Sequence, residues 1–265
     1  GEKSFGAFNT NGTIFPFQQG VILTNGKVGS ASNSRTSLAS DGDNNWPGDN
    51  DLNQTLNIAS RNATVLEFDF VPLGNKISFD YIFASEEYEQ NSTFPCIYSD
   101  GFAFLLREVG TTNYQNLALI PNTNIPVKVT TVHPNIPGNG GCGPQNQQYF
   151  GGFNNSSYPS VYDGQTVILR AEANVIPNTT YHIKLVIGDE NDNSYDSAIF
   201  LAGGSFNIGK DLGDDRTVAN GSPICSNDFL DASDPNATSF QWFFNGNPIP
   251  GEINSKLFFN SSFEK

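Results

Sequence analysis

The sequence predicts an all-β protein, and two observations indicate this class. The first is composition, because the 265 residues include 22 Phe, 26 Gly and 15 Pro but no Met. The second is the pattern: short alternating apolar segments recur between Asn, Gly, Pro and Ser, and no run of Ala, Leu, Glu and Lys favours a long helix. Many short strands separated by turns predict a β-sandwich of jelly-roll type.

The strongest pattern covers residues 77 to 106 and predicts two strands around an acidic turn. Every second residue from 77 to 83 is apolar, and Ser78, Asp80 and Ile82 lie between them. This alternation predicts a strand with one buried face, formed by Ile77, Phe79, Tyr81 and Phe83. The chain then passes Glu86 and Glu87 and returns at residue 100 into a second alternating segment. A similar acidic turn, residues 188 to 196, leads into a strand at 197 to 201. Carboxylates are therefore expected at the ends of buried strands.

Other strands are predicted in chain order. The apolar run before the Asn-Gly pair at 25 and 26 indicates a short buried strand that a turn ends. The polar residues 30 to 57 form a long loop, which is either functional or metal-ordered, or flexible and solvated. In the strand 65–70, Leu66, Phe68 and Phe70 face inward and Glu67 and Asp69 outward. Strands also follow at 117–120, 127–132, 166–170 and 181–187, with a loop over 133–160.

The pattern changes after residue 208. Cys225 is followed by Trp242 between Phe residues and then by an Asn-Gly turn, which is the order of an immunoglobulin-like sandwich. We expect a β-sandwich domain over residues 1–208 and an incomplete immunoglobulin-like domain over 209–265.

Net charge and hydropathy limit the classes of partner that this chain can have. The net charge of -14, the pI near 4.3 and only 13 Lys and Arg argue against nucleic acid. Basic partners or divalent cations fit better, although acidic residues also simply keep an extracellular protein soluble. No stretch of about 20 apolar residues occurs, so we expect no membrane span. The polar first residues show no signal peptide, which indicates a mature, exported chain or a trimmed one.

The three cysteines predict one disulfide. Cys96 and Cys142 both lie in polar loops rich in Gly and Asn, where a covalent link between long loops is most useful. Cys225 is then either a free thiol or bonded to a partner outside this chain.

Calcium binding is the sharpest chemical hypothesis. Calcium takes six to eight oxygen ligands, and the turn at 188–196 offers Asp189, Asp192 and Asp196 within a few residues. Glu86 and Glu87 point to opposite faces if extended, so at most one joins Asp100 readily. Asp49 and Asp51 are weaker candidates. The alternative is that all these carboxylates are ordinary surface groups.

Catalytic and carbohydrate-binding alternatives have less support. Glu86 or Glu87 with Asp100 could form the carboxylate pair of a glycoside hydrolase, but nothing in the sequence indicates a sugar cleft. His133 and His182 do not have metal-pair spacing and are expected to be exposed. Trp46, Tyr149 and Phe150 lie in predicted loops, where they either stack on a carbohydrate or pack against the protein.

Motifs across residues 3 to 208 resemble, in order, the choice-of-anchor L domain. They include Asp49-Asn-Asp51, Phe83-Ala-Ser-Glu-Glu-Tyr88, Asp100-Gly-Phe-Ala-Phe104 and Tyr195-Asp-Ser-Ala198. This resemblance implies a multidomain bacterial surface or secreted protein with a C-terminal sorting signal, and it implies no settled biochemical activity. The segment from residue 211 resembles the immunoglobulin-like or PKD-like repeats of Bacteroidota proteins, many of which are exported by type 9 secretion.

We therefore expect a non-enzymatic, calcium-stabilised module of an exported adhesin-type protein at the bacterial cell surface. Its expected partners are a carbohydrate or other surface ligand and the secretion and anchoring machinery, and its expected role is adhesion or recognition, with a link to surface motility. The alternative is a structural spacer or cap without a ligand. A glycoside hydrolase is the least favoured reading.

Overall fold

Two antiparallel sheets face each other in this protein, as a computed structural model shows for residues 3–32, 38–208, 212, 216–218, 221–233, 239–244 and 247–259. One sheet has the strand order β1-β2-β11-β4-β8-β7, with β9 also paired to β4, and the other has the order β3-β10-β5-β6. The strands are β1 (Phe5–Asn9), β2 (Gln19–Thr24), β3 (Ser60–Phe70), β4 (Lys76–Ser85), β5 (Gly101–Glu108), β6 (Gln115–Asn116), β7 (Phe150–Phe153), β8 (Gly164–Thr166), β9 (Leu169–Asn174), β10 (Tyr181–Glu190) and β11 (Ser197–Ala202). The predicted all-β sandwich is confirmed.

Aromatic side chains of β4 and β5 form the centre of the core between the sheets. The Tyr81 and Phe104 rings lie 4.8 Å apart, and the Phe83 and Phe102 rings lie 4.7 Å apart. Rings at these separations contribute beyond the area that they bury. The alternation in the two segments therefore predicts the inward faces correctly.

The prediction that β4 has only one buried face is wrong at its second half. Ile82 is fully buried on the opposite face, where it belongs to a second apolar cluster with Phe15, Phe17 and Phe200. This cluster forms because the segment that contains Phe15 and Phe17 covers the outer face of the first sheet. Period-two alternation fails where a strand is covered on both sides.

The polar segment 30–57, predicted to be one long loop, contains the helix α1 (Asn50–Leu56). The Asp49 side chain accepts a hydrogen bond from the Leu52 N–H at 2.9 Å, which caps the helix start. Leu52 is fully buried beside Leu56, and Asn57 ends the helix in the left-handed conformation at φ 55°. A cap and two apolar residues four apart therefore suffice for this short helix.

The segments 117–120 and 127–132 are not strands, although both were predicted to be. Val129–Thr131 forms a 3-10 helix, and the chain between the two segments makes only an isolated bridge, Leu119 with Pro126, with the Val127 N–H donating to the Ala118 carbonyl at 3.1 Å. The Thr131 hydroxyl bonds to backbone groups at the start of that helix, which favours the turn. The predicted strand 166–170 is divided between β8 and β9, and the predicted loop 133–160 contains β7. Further 3-10 helices are Val28–Ser30, Phe94–Cys96 and Gln147–Tyr149.

Cys96 and Cys142 form the predicted disulfide, with their Cα atoms 5.9 Å apart. It links the 3-10 helix that ends at Cys96 to the loop that follows the 127–132 segment.

The described part of the tail holds β12 (Phe229–Asp231) paired with β15 (Lys256–Phe258), and β13 (Phe243–Phe244) paired with β14 (Asn247–Pro248). Trp242 is buried, its Nε1 donates to the Asn254 carbonyl at 2.8 Å, and Cys225 is an exposed free thiol. The domain boundary at 208 and the immunoglobulin-like character of the tail stay predictions.

Candidate cation site

One end of the sandwich collects acidic side chains from both sheets. Glu87 follows β4 of the first sheet, whereas Asp100 precedes β5 and Asp189 lies near the end of β10 in the second. Their exposed fractions are only 6%, 2% and 0%. Because β10 and β5 are antiparallel neighbours, the end of β10 lies beside the start of β5, and Glu87 contacts Asp100 from the facing sheet. We call Glu87, Asp100 and Asp189 the carboxylate cluster.

Asn25, the residue after β2, connects the sheets within this cluster. Its Nδ2 donates to Asp100 Oδ2 at 2.7 Å and to Asp189 Oδ1 at 2.5 Å. Its Oδ1 accepts from the backbone N–H of Ser197 at 2.6 Å, and the side chain is fully buried. Both ends of the Asn25 amide are therefore engaged, and the positions of Asp100 and Asp189 are fixed relative to each other.

The remaining carboxylate oxygens are unequally satisfied. Glu87 Oε2 accepts from the Asp100 N–H at 2.8 Å and from the Ser85 hydroxyl at 3.3 Å. Asp189 Oδ2, by contrast, is buried and has no hydrogen-bond partner among the described residues. A buried polar atom without a partner destabilises the fold by about 1 to 3 kcal/mol, and by more if it is charged. This atom marks the place where a ligand or a proton is needed.

Burial and mutual repulsion raise the pKa of every member of the cluster. Burial raises the pKa of Asp100 to about 8, against an ordinary value of 3.8, although hydrogen bonds from Ser197 and Asn25 oppose the increase. Burial, followed by the charge of Asp100, raises the pKa of Asp189 to about 10. The pKa of Glu87 is also raised, first by burial and then by Asp100. Among the described residues, none of the three forms an ion pair with Lys, Arg or His.

A second acidic pair lies next to the cluster and is held by backbone groups. Glu86 Oε1 accepts from the Ala39 N–H at 2.6 Å, and the Asp196 carboxylate accepts from the Asp41 N–H at 2.9 and 3.0 Å. Both side chains are buried. The structure thus places Glu87, not Glu86, against Asp100, and it assigns Glu86 and Asp196 to the loop at 39–41.

The other predicted ligands lie outside the cluster. Asp192 is exposed and accepts from the Ser194 N–H at 2.9 Å, and because its charge raises the pKa of Asp189, it lies near the cluster without being part of it. Asp49 and Asp51 instead accept from Lys184 Nζ at 2.6 and 2.7 Å. The structure therefore does not bring Asp49 and Asp51 together with the cluster.

Each predicted ligand-binding aromatic residue has a packing partner. Trp46 Nε1 donates to the Ala63 carbonyl at 3.0 Å, and the Phe150 ring lies 5.1 Å from the Tyr88 ring. Tyr149 and Phe150 are both partly buried against the main core. These contacts do not require a carbohydrate.

The histidines differ in their surroundings. His133 is only 1% exposed, so the prediction that it is exposed is wrong: its loop is covered, and its Nδ1 lies 2.8 Å from the Pro134 carbonyl. His182 lies on the outer face of β10, where Nδ1 is 2.7 Å from Asp69 Oδ1.

The donor set fits a hard cation only after a local adjustment. Among the residues that the structure describes, no three Asp, Glu, His or Cys side chains are disposed to hold a metal ion as they stand. Within the cluster, Asn25 Nδ2 occupies the space between the two aspartates, because it donates to one oxygen of each. A cation would bind at the unpaired Asp189 Oδ2 and would require the amide to turn.

Sequence reasoning missed Asn25, Ser85 and Ser197, which hold the carboxylates in place. The signal for Asn25 was present, because an Asn-Gly pair directly follows a buried strand, but it was interpreted only as a turn.

Comparison with known proteins identifies the family. The model of the choice-of-anchor L domain matches residues 1–207. No curated protein and no solved structure matches the chain. No helix in the described part of the chain is both long and apolar enough to cross a membrane. Choice-of-anchor domains are modules of bacterial surface proteins, which indicates a surface or extracellular protein. The chain belongs to the choice-of-anchor L domain family.

Proposed function

We propose that this chain is a calcium-stabilised, non-enzymatic module of an exported bacterial surface protein that serves adhesion or surface recognition. The observation that supports the cation is the carboxylate cluster, and above all the buried Asp189 Oδ2 without a hydrogen-bond partner. Three buried acids without a basic partner are unstable when ionised, because desolvation of each charge costs several kcal/mol. A bound cation would offset that repulsion.

Calcium fits the chemistry of the cluster better than other metals. The available donors are carboxylate, amide and backbone oxygens on the turns between strands, which are the ligands that calcium prefers. Magnesium needs near-ideal octahedral geometry and keeps several waters, which suits a buried site less well. Zinc favours thiolate and imidazole, and Cys142, the cysteine beside His133, is in the disulfide.

The bound cation would link the two sheets. Asn25 and Glu87 belong to the first sheet, whereas Asp100 and Asp189 belong to the second. A cation that contacts both pairs would hold the two sheets together at this end. Removal of the cation should therefore loosen the acidic turns before the centre of the core.

The test is titration of calcium into chelator-treated protein, followed by isothermal calorimetry and by thermal melting. We expect saturable binding and a higher melting temperature in the wild type, and neither in Asp189→Asn, because the amide removes the charge at almost the same size. Asp69→Asn is the matched control, since Asp69 is exposed on the outer face of β3. Absence of both binding heat and a melting shift in the wild type would refute the cation site.

Adhesion or glycan recognition is the less developed part of the proposal, and a passive spacer is its alternative. A glycan array separates the two, because a spacer should bind nothing on it. The proposed link to type 9 secretion is tested by surface display of the protein in a strain that lacks that secretion system, and the link to motility by deletion of the coding region, followed by an assay of spreading on agar.

A further inference from the structure

The second sheet is one strand narrower than the first at the β3 side. The second sheet ends at β3, whereas the first continues past β11 to β2 and β1. Phe8 and Ile22 face the outer apolar cluster, so Phe5 and Val21, at odd spacings from them, face inward. Phe5 is nevertheless 55% exposed and Val21 38% exposed. Among the described residues, no strand covers this inward face.

The inward face of β3 is open in the same place. Leu66 and Phe68 pair with Leu185 and Ile183 of β10, which lie in the main core, so the two side chains point inward. Both are nevertheless 37% exposed. A groove of about 230 Å³ lies between the sheets here, and its lining includes Val21, Leu66, Phe68, Leu185, Leu201 and Phe206. The lining of this groove is mostly apolar.

The backbone edge of β3 is open along the groove. β3 pairs with β10 on one side. On the other side, the Asn62 and Ala63 N–H groups donate to the carbonyls of Trp46 and Pro47, which closes the first part of the edge. From residue 65 to 70, the described residues supply no backbone partner on that side. Alternate N–H and C=O groups there are free to pair with an added strand.

We infer that an extended strand of another protein adds to β3 and inserts every second side chain, all apolar, into the groove. Charge decides the alternate, outward side chains. Glu67 and Asp69 are both more than half exposed on the outward face of β3, and their register neighbours on β10 are Lys184 and His182, so a row of acidic side chains lies at the free edge beside a row that contains the basic Lys184. The added strand completes this alternation if its outward side chains are Lys or Arg.

A second copy of this chain fits the same edge poorly. Pairing of β3 with β3 of another copy would place the rows of Glu67 and Asp69 beside each other, and like charges directly opposite destabilise a sheet. The net charge of -14 also opposes self-association. The occupant is therefore a basic, alternating segment of a different chain. This interaction surface does not depend on the cation site.

Fluorescence anisotropy with three labelled nonapeptides tests the inference. The first alternates Lys and Val, the second alternates Glu and Val, and the third is the Lys peptide with N-methyl groups on the amides of one edge. We expect the wild type to prefer the Lys peptide over the Glu peptide by at least about tenfold, since opposite charges lie beside each other in the complex. N-methylation of the pairing edge abolishes binding, because the backbone donors are lost.

A charge reversal supplies the decisive control. In Glu67→Lys with Asp69→Lys, the preference should reverse toward the Glu peptide. The matched control is Glu108→Lys with Glu172→Lys, which changes the net charge equally at exposed positions on other strands and should keep the wild-type preference. Circular dichroism and melting verify that each variant folds.

Several outcomes overturn the inference. They are the absence of Lys-peptide binding up to about 1 mM, an unchanged preference in the charge reversal, and an equal reversal in the matched control. Sedimentation that shows a dimer sensitive to the Glu67 and Asp69 substitutions would overturn it in favour of a second copy.

Discussion

Without metal, the protein should lose stability as the pH rises from 5 to 7. An unfolded Asp ionises near 3.8, whereas burial raises the pKa of Asp100 to about 8 and that of Asp189 to about 10 in the folded protein. Between these values the folded state holds more protons than the unfolded state, so the free energy of unfolding decreases with pH. This stability is fully present below pH 4 and is lost as the pH passes through the folded values.

The magnitude follows from the width of the pH window. One group contributes about 1.4 kcal/mol per pH unit, so two groups over two units amount to about 5.6 kcal/mol. A domain of about 200 residues shifts its melting temperature by about 2 to 4 °C per kcal/mol, which predicts a decrease of about 10 °C or more. Since total stabilities are about 5 to 15 kcal/mol, the effect would dominate the pH profile.

Calcium should remove this decrease of stability with pH, because the ligated carboxylates are then ionised in both the folded and the unfolded state. The assay is thermal melting by circular dichroism from pH 5 to 8, in chelator and in millimolar calcium. In chelator, Asp100→Asn with Asp189→Asn should show a clearly shallower decrease than the wild type, because amides do not titrate and only Glu87 of the cluster keeps a raised pKa. A wild-type melting temperature that stays constant or rises from pH 5 to 7 in chelator would refute the reasoning.

Three further predictions concern the surroundings of the site. Replacement of Cys96 and Cys142 by Ser should lower the free energy of unfolding by about 4 kcal/mol in urea titrations, because their sequence separation is 46 residues; an unchanged midpoint would contradict this. Asp49→Ala should lower the free energy of unfolding by about 2 kcal/mol, because the helix cap and the Lys184 ion pair are lost. Its calcium affinity, measured by calorimetry, should be unchanged, and a weakened affinity would place Asp49 in the site. Gly26→Ala should lower both the melting temperature and the calcium affinity, because the added Cβ would lie 1.9 Å from Asp196 Oδ2. Gly29→Ala is the neutral control, since a Cβ added there has no other atom within 4 Å.

The sequence predicted the positions of the buried acids better than their partners. Glu87, Asp100 and Asp189 each lie at the end of an alternating apolar segment, so strand ends could be located and their convergence inferred. Asn25 could not be distinguished from the many Asn residues on turns, because its hydrogen bonds connect positions 75 and 164 residues apart in the chain. Long-range polar contacts leave no local pattern.

Local chemistry accounts for other residues that the sequence left open. Asp49 was a weaker candidate for a metal ligand, yet an Asp three residues before a buried Leu can also cap a helix, and the structure shows the cap. Leu66 and Phe68 illustrate a different limit. Alternation predicts the face on which they lie, but it cannot show whether a strand exists opposite them, and here the described residues supply none.

The two proposals concern different parts of β10 and can be separated by one double-mutant comparison. Asp189 lies at the end of β10 that carries the cation site, whereas His182 and Lys184 lie beside the open part of β3. If the cation only fixes the acidic turns, Asp189→Asn leaves binding of the Lys peptide unchanged, and its effects add to those of the Glu67 and Asp69 reversal. If the cation also orders the edge, the peptide binds more tightly with calcium, and the two sets of substitutions are not additive. Additivity therefore decides whether calcium only stabilises the module or also controls its recognition surface.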